Sequence, residues 1–118
     1  MSEANTLLPL LIEPEDLQEA LSQSNSHLIL LVDLRSEANF LQGHIHGAQL
    51  VLPSETQAKA PFPGLAPSDA QLTQLMQRIG LTKDSHVVVY DDEGGGWAGR
   101  FIWLLDEIGH QEYSYLNG

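Results

Sequence analysis

The amino-acid sequence predicts an α/β fold, with a mostly parallel central sheet flanked by helices on both faces. Three observations carry that expectation. Two unbroken apolar runs of strand length, "HLILLVDL" at 27–34 and "HVVVYD" at 86–91, have the composition of strands covered on both sides. Between the extended segments lie stretches whose apolar residues recur at the helical period. The order strand, helix, strand, helix then repeats along the chain, as it does where parallel strands are joined by helical crossovers.

Each element has its own signal. "LIEPED" at 11–16 is a short strand followed by Pro14 at a first helical turn, where Glu15 and Asp16 suit the positive end of the helix. Leu17, Ala20 and Leu21 supply that helix with a modest apolar face. After the first buried strand, "EANFLQGH" is a short helical turn closed by Gly43, and "AQLVL" is a brief strand. Residues 53–67 hold four prolines and a glycine and are expected to form a loop, at a length where loops tend to be functional or mobile. "SDAQLTQLMQRIG" is the clearest helix: Ser68 caps it, Gln71 completes a capping box, Leu72, Leu75, Met76 and Ile79 form the buried stripe, and Gly80 ends it. A last helix is expected from Trp97 to Ile108, with Phe101, Leu104, Leu105 and Ile108 on one face and Gly109 as its stop. "EYSYLN" alternates as a final strand does.

Bulk properties narrow the function. At 118 residues the chain is one domain, residues 1–118, and can bury a core without a staple. It contains no cysteine, which excludes a disulfide framework, a thiolate metal site and any thiol chemistry by this chain alone. Sixteen acids against five bases give a formal charge of −11. Nucleic acid and anionic membrane surfaces are therefore excluded as partners, since both are held by Lys and Arg. No apolar run approaches the roughly 20 residues of a membrane span. The amino terminus has Glu3 where a signal peptide needs positive charge, and Pro9 breaks its apolar stretch. A cytoplasmic location is expected.

In parallel sheets ligands sit outside the carboxyl ends of the strands, so chemistry is expected at the bends after Val32 and Tyr90. The first bend carries Asp33, Arg35, Gly43, His44, His46 and Gly47. Asp33, His44 and His46 are acceptable metal ligands, but no further ligand stands at a recognisable spacing. The structural alternative has Asp33 accepting backbone N–H groups while Arg35 pairs with a carboxylate to pin the turn. The second bend, Asp91, Asp92, Glu93, Gly94, Gly95 and Gly96, has catalytic geometry but no nucleophile. Paired acids after an apolar strand also suit a phosphoaspartate receiver or a divalent-cation loop. Adjacent acids diverge, however, and no lysine ends a later strand. Three glycines without Lys-Ser/Thr are not a phosphate loop; a tight bend and close packing account for them. Arg100, one turn into the last helix, is a candidate anion contact, or else an ion-pair partner of Asp92, Glu93 or Glu107. Trp97 and Trp103 read as core or interface residues.

The spacing Asp33-x-Arg35, then Phe40, then Gly43-His44-Ile45-x-Gly47-Ala48 resembles the amino-terminal signature of rhodanese domains, the sulfurtransferase fold. The strand ending at Tyr90, the six-residue loop and the aromatic-rich helix closing on "GH" resemble that family's active-site loop and its helix. The likeness runs from about Leu11 to Gly118. "VVVYDDEGGGWAGRFIWLLD" is most similar to the first domain of bacterial tandem-domain thiosulfate:cyanide sulfurtransferases. In those proteins the second domain bears the persulfide-forming cysteine and the first has an acidic residue in its place, here Asp91. The resemblance implies that Asp33, Arg35, Gly43, His44 and Gly47 are structural. It implies that this segment has no catalytic residue, metal or cofactor, and that its partner is a second, Cys-bearing domain. It also implies a chain truncated at its carboxyl end relative to a two-domain parent, with one sheet face under-covered. Two departures stand out: His46 where the family usually has proline, and Asn39 where it often has glutamate, leaving Arg35 to seek another partner such as Glu37. A stand-alone, inactive regulatory or interaction domain of the same fold, and an acid-dependent enzyme using Asp91 with a divalent cation, remain as alternatives.

Overall fold

The computed structural model describes residues 8–57 and 67–117. Most of the expected proline-rich loop, residues 58–66, and the terminal Gly118 lie outside the described residues. Strands β1 (Leu11–Ile12), β2 (Ile29–Asp33), β3 (Gln49–Leu50), β4 (His86–Tyr90) and β5 (Tyr113–Leu116) alternate with helices α1 (Pro14–Leu21), α2 (Glu37–Gln42), α3 (Asp69–Ile79) and α4 (Gly96–Glu107). The strands form one sheet in the order β1-β5-β4-β2-β3, and each neighbouring pair is parallel. The apolar runs form the middle of this sheet: β4 is buried along its whole length, and Val32, Val87, Val88 and Val89 are fully inaccessible.

Helices cover both faces. On one, Leu72, Leu75, Met76 and Ile79 of α3 and Phe101, Leu104 and Leu105 of α4 pack on Val32, Val87 and Val89. On the other, Leu17 of α1 and Phe40 of α2 pack on Leu31 and Val88. Alternation along β4 sends successive side chains to the two layers. The second layer rests on the shorter helices, and of the expected α1 face only Leu17 is buried while Leu21 is exposed.

The helix-end signals act as their chemistry dictates. Ser68 Oγ accepts the Gln71 N–H, Gln71 Oε1 accepts the Ser68 N–H, and Gly80 takes the left-handed conformation that ends α3. Three local expectations need correction. The segment after β3 begins with a 3-10 turn, Pro53–Thr56, because Pro53 presets its first φ and Glu55 Oε1 accepts the Leu52 N–H. Arg78 of α3 then clamps Glu55 through both carboxylate oxygens at 2.8 and 2.7 Å. A second 3-10 turn, Ser26–Leu28, feeds β2 without a sequence signal. Finally, α4 stops at Glu107, and Ile108 is 42% exposed at its cap instead of continuing the buried face.

Candidate functional site

Register brings the two bends together. Asp33 and Tyr90, the last residues of β2 and β4, are direct partners, and the Leu34 N–H donates to the Tyr90 carbonyl at 2.9 Å. Both bends therefore leave the carboxyl end of the sheet side by side, where parallel sheets bind ligands.

The first bend is a closed ionic knot. Asp33 is fully buried, and its Oδ1 accepts the Arg35 backbone N–H at 2.9 Å. The Arg35 guanidinium donates to both Asp33 oxygens, with Nη2 at 2.8 Å, and reaches the Gly43 carbonyl at 2.6 Å. The expected turn to Glu37 is corrected: the carboxylate two residues upstream is nearer, and a planar fork satisfies it with two parallel bonds. Asp33 strengthens the hold of Arg35 on its proton. Arg35 also lies 5.7 Å from the centre of the Tyr90 ring, and the Tyr90 hydroxyl accepts the Ile45 N–H at 3.3 Å. Burial is the main cause that pushes the Tyr90 phenol up to about 12, with the Ile45 N–H pulling the other way. Gly43 and Gly47 thus flank the segment that these two side chains hold, and His44 stacks on Phe40 at 3.8 Å while its Nδ1 meets the Phe40 carbonyl. Asp33 is spent on Arg35, and among the described residues no group of three His, Asp or Glu is placed to hold a metal ion.

The second bend is built around Asp91. Its Oδ1 accepts the N–H of Glu93 at 3.2 Å and of Gly95 at 3.0 Å. Its Oδ2 accepts the N–H of Ala98, the third residue of α4, at 2.8 Å. Converging backbone N–H groups at a helix start form an anion cradle, and the positive end of the helix dipole adds to it. Here the chain's own carboxylate fills that cradle. Gly94 and Gly95 supply the positive φ values, 73° and 93°, that turn these N–H groups inward. At Gly95 a Cβ would also stand 3.2 Å from the Tyr115 hydroxyl, so the loop rests directly on β5.

Asp92 and Asp91 point to different partners. Asp92 Oδ2 accepts the Asn39 amide at 2.8 Å, which joins the two bends from outside. Asn39 and Tyr115 belong to the site although nothing in the sequence marks their partners, which are distant along the chain. Glu93, Gly94 and Gly96 form the exposed rim. Arg100 reaches the 3-10 turn that follows β3. Its Nε donates to the Thr56 carbonyl at 3.1 Å, and its guanidinium lies 4.9 Å from the centre of the exposed Trp103 ring. The ion pairs among the described residues do not join it to Asp92, Glu93 or Glu107. Trp97 packs against the α3–α4 core.

Fold and site together define a parallel α/β domain that offers a backbone-amide cradle at the head of a helix, capped from within by a carboxylate. The profile of the family described as Rhodanese-like domain matches residues 13–118, and the chain belongs to that family. It is 55% identical over 112 residues to the thiosulfate sulfurtransferase of Azotobacter vinelandii and 54% identical over 112 residues to that of Pseudomonas aeruginosa. Each match covers 94% of this chain and 40% of the relative, so the chain spans less than half the length of these curated relatives. Among solved structures, the sulfur transferase subunit of yeast mitochondrial complex I superposes with a TM-score of 0.72 at 26% identity, over 93% of this chain and 39% of that one. The Tum1 protein of Saccharomyces cerevisiae superposes with a TM-score of 0.73 at 23% identity, over 92% of this chain and 40% of that one, a likeness of fold alone.

Proposed function

We propose that this chain is the non-catalytic, amino-terminal rhodanese-like domain of a thiosulfate sulfurtransferase, a cytoplasmic bacterial protein whose second domain bears the reactive cysteine. In this reading Asp91–Gly96 occupies the place of the family's sulfur-carrying loop. Sulfane transfer needs a soft thiolate that can form and break an S–S bond, and a carboxylate forms no persulfide. The three N–H groups that would steady a thiolate or persulfide are taken up by Asp91. That occupancy is the observation that carries the proposal. The share of 40% of the curated relatives supports a further domain, and the preserved cradle supports a role as a scaffold that buttresses its neighbour.

The test is formation of thiocyanate from thiosulfate and cyanide. The 118-residue chain is expected to give none above the blank, and the two-domain protein to turn over. Turnover by the purified chain alone contradicts the proposal.

A further inference from the structure

A separate group of buried polar atoms lies at the amino-terminal end of β4, away from both bends. His86, the first residue of that strand, is 1% exposed, and its Nε2 is 2.7 Å from Ser114 Oγ on β5. The Ser114 hydroxyl donates to the Pro9 carbonyl. A hydroxyl has one hydrogen and a carbonyl has none, so that hydrogen is committed and His86 Nε2–H must be the donor to Ser114. The tautomer is thereby fixed, and Nδ1 carries the lone pair. Nδ1 faces Glu112 Oε1 at 3.9 Å, and both atoms are buried without a hydrogen-bond partner among the described residues. The two acceptors face each other across 3.9 Å, within ion-pair range once Nδ1 carries a proton.

We propose that His86 Nδ1 and Glu112 Oε1 form a one-proton binding site between β4 and the segment entering β5. A proton passes from hydronium to Nδ1, leaving water, and the imidazolium then faces the carboxylate as an ion pair; the Nε2–Ser114–Pro9 chain is kept. The backbone already joins the same partners, since the Val87 N–H donates to the Glu112 carbonyl at 3.0 Å. Burial holds His86 below the ordinary histidine value of 6.5; Glu112 opposes that lowering and His110 adds to it. His110 is itself tied by Nε2 to the Ser85 carbonyl at 2.8 Å. Across the sheet the β2 neighbour is apolar Ile29, and the α1 acids Asp16 and Glu19 line a different depression, with Ile29 and Pro9. Because the folded state binds this proton less readily than the unfolded chain, stability is full above about pH 6.5 and falls as acid drives protonation.

Nitrogen-15 NMR of the imidazoles in the 118-residue chain tests the site. The Nε2–H tautomer of His86 is expected at pH 8, and Glu112→Gln is expected to lower the His86 midpoint by about one unit, because the carboxylate is what sustains it. An Nδ1–H tautomer at that pH overturns the proposal on the unaltered protein. So does a midpoint that Glu112→Gln leaves unmoved or raises.

Discussion

The carboxylate of Asp91 accepts the backbone N–H of Ala98 at 2.8 Å, seven residues further on in the first turn of α4. With the bonds from Glu93 and Gly95 it makes one side chain the organiser of the whole bend. The helix has Gly95 at its cap, which brings no side chain of its own. Asp91 takes over that duty from outside the usual position.

Removing it should therefore loosen the loop without dissolving the fold. Asp91→Ala leaves the three N–H groups to solvent, and the loss expected is about 2 kcal/mol, at the upper end for a helix cap. Urea unfolding of the two proteins checks it. Amide exchange should quicken at Gly95 and Ala98 and stay unchanged along β4.

Arg35→Lys is expected to be nearly as costly as Arg35→Ala. An ammonium is a point charge and cannot serve both Asp33 oxygens and the Gly43 carbonyl in one plane. Asp33 is fully buried, so a poorly matched cation leaves part of its charge unanswered; a loss of about 3 kcal/mol follows. Parallel urea titrations of the two variants measure the difference, and a Lys variant as stable as the parent contradicts the reading.

Tyr90 gives a signature in alkali. Its phenol is pushed up from 10.0 to about 12, mainly by burial, so the folded state holds that proton more tightly than the unfolded chain. The stability this group contributes is full below about pH 10 and is lost as pH rises towards 12. Tyrosinate absorbance, taken as the difference between the parent and Tyr90→Phe, should show a titration delayed beyond the ordinary tyrosine range. A difference curve centred at the ordinary value refutes it.

What could be read in advance follows from the range of each interaction. The apolar runs at 27–34 and 86–91 and the Ser68–Gln71 capping box are local patterns, and they contain the strands Ile29–Asp33 and His86–Tyr90 and start the helix Asp69–Ile79. Partners of the charged groups were another matter. The departure at Asn39 points Arg35 towards another carboxylate such as Glu37, yet the turn that Asp33 holds by accepting the Arg35 backbone N–H folds the guanidinium back onto Asp33. The sequence offers Arg100 an anion or the nearby acids Asp92, Glu93 and Glu107, whereas its Nε meets a carbonyl 44 residues away, that of Thr56. The Asn39–Asp92 bond spans 53 residues and depends on strand register, which no local pattern encodes. Asp91 stands between these cases: it lies just ahead of a helix, where an acid suits the positive end, but the three N–H groups converge only because Gly94 and Gly95 adopt positive φ.

The most direct test of an occupied cradle is Asp91→Cys. The chain has no other cysteine, so a single thiol reports on the position. If these N–H groups and the head of α4 form an anion-holding pocket, alkylation against pH should place the introduced thiol clearly below the ordinary value of about 8.5. Attack of the thiolate on the sulfane sulfur of thiosulfate should then release sulfite and add one sulfur atom to the mass of the chain. An ordinary thiol midpoint together with an unchanged mass would contradict the account.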